Sequence, residues 1–308
     1  MKRILLTGKH GQVGYELERC LRGLGDIVAV GRGQMDLSDL DQVRQVIRAV
    51  RPDLIINPAA YTAVDKAENE ATLAMRINAE APRVMAEEAA WLGAGMIHFS
   101  TDYVFDGSKD TPYTEDDPCA PINVYGRSKL AGERAVAAVG LPHLILRTSW
   151  VYGRRGNNFL LTVQRLARER AGLSIVADQF GAPTWSRTVA EATARIVAAN
   201  GGAIGPAQTG LYHLTAQGET SWHGFAAAIV AHRSSPKKPA LAAIEASRYP
   251  TAARRPQNSR LSSQRFIERF GPLPRWDEAL ALCLDCAVTD GGADPPAGLA
   301  GGAARPCR

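Results

Sequence analysis

Apolar positions fall into short blocks separated by polar or glycine-bearing turns, and the blocks alternate between two periods. Arg3-Ile4-Leu5-Leu6-Thr7, Ile27-Val28-Ala29-Val30, Leu54-Ile55-Ile56-Asn57, Met96-Ile97-His98-Phe99-Ser100 and Leu144-Ile145-Leu146-Arg147 are apolar almost throughout and read as strands. Between them the apolar residues recur at helical spacing. Val13, Leu17, Cys20 and Leu21 predict a helix over 12–22, and Val43, Val46, Ile47 and Val50 one over 40–50 that Pro52-Asp53 breaks. Helices are also predicted over 66–78 and 80–91, with another beginning near Tyr125. Strands without a polar face, alternating with helices, predict an α/β fold: a doubly wound, parallel Rossmann-type sheet covered on both sides.

The pattern loosens after residue 148, where Pro, Trp and turn residues become frequent. This predicts a dinucleotide-binding domain over 1–147 and a smaller, interleaved C-terminal substrate lobe over 148–287. Leu173-Ser174-Ile175-Val176 and Leu211-Tyr212-His213-Leu214 read as two more strands, so the chain is expected to return to the sheet near 171–176 and 188–215. Residues 288–308 carry almost no large apolar side chain and are expected to form a disordered tail.

Composition narrows the function classes. At 308 residues and 45% hydrophobic, the chain can bury a full core. No apolar run approaches the roughly 18–20 residues of a membrane span, and the short apolar stretch at the N-terminus is no signal peptide. A cytoplasmic, membrane-free protein is expected. Cys283 and Cys286 form a C-x-x-C within a predicted helix, with no second ligand pair nearby, so helix thiols are expected rather than a metal site. The net charge of +5 is spread out, and short arginine clusters without interleaved aromatics argue against nucleic acid.

Two motifs carry chemistry. Gly8, Gly11 and Gly14 follow the first strand and open a helix. Such a turn lets backbone N–H groups approach a pyrophosphate at the positive helix end. At the end of the second strand, where an acid would hold a ribose hydroxyl, stands Gly31-Arg32-Gly33. A guanidinium suits a 2′-phosphate, so NADPH is the expected cofactor, with NADH as a second acceptable donor. Asp36-Leu37 would border the adenine, and small residues in Asn57-Pro58-Ala59-Ala60-Tyr61 would let the chain pass close to the dinucleotide. Tyr125 and Lys129 lie four apart on one helix face, where the ammonium would favour the phenolate. That spacing is equally that of an ordinary amphipathic helix; the glycine turn and Ser100-Thr101-Asp102-Tyr103 give it weight.

With these blocks, Asn57 to Glu68, Ser100 to Gly107, Asn123 to Glu133, Arg147 to Tyr152, Asp178 to Thr184 and Arg255 to Leu261, the chain from residue 1 to about 285 resembles the dTDP-4-dehydrorhamnose reductase family of extended short-chain dehydrogenase/reductases. The resemblance implies NAD(P)H-dependent reduction of the C4 ketone of dTDP-4-dehydro-β-L-rhamnose to dTDP-L-rhamnose, with Thr101, Tyr125 and Lys129 as the catalytic set. It implies cofactor contacts at Gly8, His10, Gly11, Gln12, Val13, Arg32, Asp36, Leu37, Ala59, Ala60, Tyr61, Tyr125 and Lys129. Substrate contacts are implied at Thr62, Val64, Thr101, Asp102, Tyr103, Trp150, Asn158, Arg255 and Arg260. Some family members form dimers bridged by magnesium through glutamates. Glu16 fits one such position, but Arg187 and Cys286 stand at the others, and a positive charge there opposes a cation. No metal site is expected, and the chain is expected to be a monomer or a homodimer. Two further functions share the pattern: another nucleotide-ketosugar reductase, epimerase or dehydratase, and a non-catalytic NADP-binding regulator resembling the methionine adenosyltransferase beta subunit. A single acid beside Thr101, where a dehydratase needs a pair, favours simple reduction.

Overall fold

The computed structural model describes residues 1–232 and 238–289, with side chains through 285. The N-terminal body is built from β1 (Arg3–Leu6), α1 (Gln12–Cys20), β2 (Asp26–Ala29), α2 (Leu40–Val50), β3 (Leu54–Asn57), α3 (Val64–Ala67), α4 (Ala71–Met75), α5 (Ala81–Leu92), β4 (Gly95–Thr101), α6 (Val124–Val139) and β5 (His143–Thr148). There follow β6 (Val151–Tyr152), α7 (Phe159–Glu169), β7 (Gly172–Val176), β8 (Phe180–Gly181), β9 (Thr184–Trp185), α8 (Ser186–Ala199) and β10 (Gly210–His213). The chain closes with β11 (Thr220–Ser221), α9 (Trp222–Ala231), β12 (Ala240–Ile244), α10 (Gln264–Phe270) and α11 (Trp276–Thr289).

Six strands form one parallel sheet in the order β10-β5-β4-β3-β1-β2. Alternate residues of each strand face opposite layers. Ile4, Leu6, Ile56, Ile97 and Leu146 pack with Leu17 of α1, Leu21 just past its end, and Val189, Ile196 and Val197 of α8. Leu5, Ile55 and Met96 pack with Val43 and Ile47 of α2 and Val84 and Met85 of α5. This two-sided burial is why the strands lack a polar face. The chain runs from β1 outward to β2, then crosses back to β3. A crevice therefore opens between β1 and β3 at their C-terminal ends, where such sheets bind ligands.

The segment expected as helices 66–78 and 80–91 is α3, α4 and α5, with a π-helical turn over Arg76–Glu80 between the last two. Pro82 has no N–H to donate back to the Asn78 carbonyl. That carbonyl instead faces Gly132 of α6, where a Cβ would stand 2.0 Å from it.

The strand over 172–176 does not return to the main sheet. β7 pairs in parallel with β12 in a separate two-stranded sheet, whereas β10 does join the main sheet beside β5. The lobe has its own core of Tyr152, Leu160, Val163, Trp185, Phe225, Ile229 and Leu280. α11 continues to Thr289, and the remainder of the expected 288–308 tail lies outside the described residues. No described helix is long and apolar enough to cross a membrane.

Candidate active site

The glycine turn is a cradle that side chains would fill. Gly8 has φ +61°, and a Cβ on Gly14 would stand 2.1 Å from the Gly8 carbonyl oxygen. Three residues beneath this turn were not singled out from the sequence. Thr7 Oγ1 donates to Asn57 Oδ1 at 2.6 Å, and Asn57 Nδ2 lies 3.2 Å from His98 Nδ1. Burial, then the Lys129 charge, hold the His98 imidazole well below its ordinary range, so it is neutral and accepts from Asn57. Their signal was present in the sequence as polar residues within strands otherwise apolar.

The rest of the cofactor crevice follows in order. His10 is exposed beside Gly31, while Val13 packs into the core beneath. Arg32 is 78% exposed at its side chain and pairs with Asp36 at 3.2 Å. The Asp36 carboxylate also accepts from the Ser38 backbone N–H and hydroxyl, which hold it below the usual range. Asp36 is therefore engaged by protein groups, and Leu37 beside it is buried in the core. The Ala59 N–H points to Thr7 Oγ1 at 3.4 Å, and Ala60 leads into Tyr61. Asn78 holds the Tyr61 backbone by both its N–H and its carbonyl, and also donates to Ser128 of α6. The Tyr61 phenol donates to Glu70; burial, then that carboxylate, push it up to about 12.

Thr101, Tyr125 and Lys129 come together where β4 ends against the first turns of α6. Asn123 caps this helix by accepting from the Gly126 N–H at 2.8 Å. Gly126 is required by contact: a Cβ there would lie 2.1 Å from the Tyr103 carbonyl oxygen. Lys129, 2% exposed, donates to the Phe99 carbonyl at 2.5 Å. Burial pulls its ammonium down to about 8, with Glu133 acting in the opposite direction. Burial pushes the Tyr125 phenol up from its ordinary value; the Thr101 hydroxyl acts against this and the Asp102 charge adds to it. At Tyr125 burial outweighs any lowering by the neighbouring ammonium. Desolvation governs both groups, and the lysine is committed to a backbone carbonyl. Tyr103 meets Tyr125 edge to face at 5.8 Å.

The opposite wall is aromatic and basic. Trp150 has a left-handed backbone, φ +48°, a conformation that costs a bulky residue energy and clusters at functional sites. Its indole stacks on Trp222 at 3.5 Å. Trp222 and Arg255 border a cavity of about 1040 Å³ in the lobe, whose wall also carries Arg170, Arg248, Arg254 and Phe159. None of these except Arg255 was expected from the sequence.

The remaining sequence candidates have other engagements. Asn158 caps α7, and its amide nitrogen donates to Gln12 Oε1 and to the Gly153 and Arg155 carbonyls, tying the lobe to the glycine turn. Arg255 is held bidentately by Asp65 at 3.2 and 2.8 Å. Asp65 lies one residue past Val64, and Thr62 is exposed just before it. Arg260 lies elsewhere: it pairs with Glu219 and lines a second, smaller cavity. Arg187 pairs with Glu16 at 3.2 Å. Among the described residues no group of three or more His, Cys, Asp or Glu side chains lies together as a metal site.

The family model for the RmlD substrate binding domain matches residues 1–288. The chain is 48% identical over 291 residues to a dTDP-4-dehydrorhamnose reductase of Burkholderia thailandensis, covering 92% of this chain and 98% of that one. It is 46% identical to that of Escherichia coli K12, covering 92% and 97%. Its fold is similar to the crystal structure of the Bacillus anthracis dTDP-4-dehydrorhamnose reductase in complex with NADP, with a TM-score of 0.86, 36% identity, and 92% and 99% of the two chains covered. With a match across nearly its whole described length, the chain belongs to the RmlD substrate-binding-domain family, that of its dTDP-4-dehydrorhamnose reductase relatives.

Proposed function

We infer that this chain is an NADPH-dependent oxidoreductase that reduces the C4 ketone of dTDP-4-dehydro-β-L-rhamnose to dTDP-L-rhamnose. The near full-length identity to reductases of that name carries the reading. The gathering of Thr101, Tyr125 and Lys129 at one sheet end supports it. The glycine cradle would hold the cofactor pyrophosphate, and Arg32, at the crevice rim, its 2′-phosphate. Bound there, the reduced nicotinamide supplies a hydride to C4.

The protein's own residues handle the charge that this leaves on oxygen. Tyr125 gives its phenolic proton to the developing alkoxide, and the Thr101 hydroxyl hydrogen-bonds the same oxygen. Lys129 binds the nicotinamide ribose hydroxyls, and its charge favours the phenolate left behind. Trp150 and Tyr103 cover the apolar side of the deoxysugar. Arg248 and Arg254, with Arg255 held by Asp65, offer cations to the diphosphate. Arg260, paired across a different cavity, has no part in this reading. The same reading makes the protein cytoplasmic, as a monomer or homodimer without a metal bridge.

The test is NADPH oxidation by the purified protein, with substrate made in situ from dTDP-4-keto-6-deoxyglucose and its 3,5-epimerase. Turnover is expected only when the epimerase is present. Equal turnover without it would move the activity to a different ketosugar.

A further inference from the structure

A threonine hydroxyl has one proton and two lone pairs. At Thr101 one lone pair takes the Tyr103 backbone N–H at 3.2 Å, and the proton goes to Asp102 Oδ1 at 2.9 Å. A carboxylate only accepts, so an ionised Asp102 fixes the direction of that bond. The hydroxyl then has no proton left for a substrate oxygen. Asp102 itself is 3% exposed, at the junction of β4 with the short turn over Asp102–Val104. The polar groups that face it are hydroxyls and an amide: Ser259 from the segment before α10, Thr101, its own backbone N–H, and Ser149 from the end of β5. The phenols of Tyr103 and Tyr125 also feel its charge. Arg255 and its partner Asp65 act on Tyr103 from across the cleft.

We propose that Asp102 is a positioning residue that works in its protonated form, donating to Thr101 Oγ1 and so turning the Thr101 proton toward the substrate carbonyl. This rests on the placement of Thr101 at that oxygen proposed above. Two observations support it. Burial pushes the Asp102 carboxyl up to about 6, against the pull of the Ser259, Thr101 and Ser149 hydroxyls, so its proton is kept well above the ordinary carboxylate range and is half held at about pH 6. The Asp102 charge also raises Tyr125, so neutralising Asp102 makes the phenol a better acid in the same step. A negative charge two hydrogen bonds from a forming alkoxide, through Thr101, would oppose the reaction; a neutral acid supports it.

The experiment compares pH profiles of kcat for wild type, Asp102→Asn and Thr101→Val, and titrates the buried carboxyl of the cofactor-free protein by difference infrared spectroscopy. Wild-type turnover should fall as pH rises, by about tenfold per unit once Asp102 ionises. Asp102→Asn keeps an N–H for Thr101 at every pH, so this limb should vanish. Thr101→Val has no proton to turn and keeps only the effect of the Asp102 charge on Tyr125, so its reduced turnover should show a limb of smaller amplitude than wild type. The infrared band of a protonated carboxyl should be lost over the same pH range and be absent from Asp102→Asn. The same limb in either variant, or no such band in wild type near pH 6, overturns the proposal. If Asp102→Asn does not fold, Thr101→Val and the wild-type spectrum decide. If wild type does not turn over this ketosugar, the functional reading fails and the infrared titration still judges Asp102.

Discussion

Tyr125 and Lys129 illustrate how burial and charge compete at single residues. Desolvation lifts the phenol and lowers the ammonium, so each is moved toward its neutral form until a ligand changes the field. Tyr125→Phe removes the proton that the alkoxide needs and little of the surface. Turnover is expected to fall by about 10²–10⁴-fold, while NADPH affinity, read by fluorescence titration, stays close to wild type. For Lys129 the sign follows from linkage. Its folded pKa of about 8 lies below the ordinary 10.5, so the unfolded chain binds the additional proton between those values. Stability of the cofactor-free protein should therefore rise as pH increases across that window, by about 3 kcal/mol at most. Denaturant unfolding of wild type against Lys129→Met measures it; identical pH slopes would show that burial does not perturb the ammonium. Arg32 is exposed at the crevice rim and paired with Asp36. Arg32→Ala is expected to weaken NADPH more than NADH, and equal losses would remove it from the 2′-phosphate.

At the scale of elements, the sheet was legible because each strand of the N-terminal body is apolar on both faces, and α2 spans 40–50 as its spacing predicts. The glycine turn and the Tyr125 helix were legible because close contacts at Gly14 and Gly126 admit no side chain. What was not legible is pairing at long range. Leu173 to Val176 reads as a parallel strand wherever its partner lies, and only the assembled lobe matches it to β12. Trp222 stacks on Trp150 from far along the chain, and Arg260 meets Glu219 instead of the site, with no local pattern to announce either. Asn158 was read as a substrate contact, yet it clasps the residue 153–158 loop to the start of α1 through Gln12. The same clasp includes Arg155 and Arg19 on the Tyr15 ring at 3.8 and 3.7 Å. Asn158→Ala removes both the α7 cap and the clasp. Stability should fall by about 0.5–2 kcal/mol, and amide exchange should quicken across the loop and the first turn of α1. Faster exchange confined to α7 would mean that the cap alone matters.

For the molecule as a whole, some of the polar contacts that join the two bodies converge on the cleft. Asn158 reaches Gln12, Asn123 Nδ2 donates to the Arg254 carbonyl at 2.8 Å, and Asp65 holds both Arg255 and the Ala253 N–H. The last two anchor the 246–255 segment, which forms one wall of the large cavity. No residue of the cofactor turn takes part in either contact. Loosening this wall should therefore affect the sugar nucleotide and spare the dinucleotide. Asp65→Asn keeps the shape of the side chain and removes the charge that orients Arg255. A charge-assisted hydrogen bond contributes about 1.5–3 kcal/mol, so KM for the sugar nucleotide should rise at least about tenfold. The Kd for NADPH should be unchanged, because no cofactor-turn residue contacts Asp65 among the hydrogen bonds that hold it. Steady-state kinetics and a cofactor titration on the same preparation separate the two. A parallel loss of NADPH affinity would show that the lobe and the cofactor site move as one body, and that the cleft closes over both ligands together.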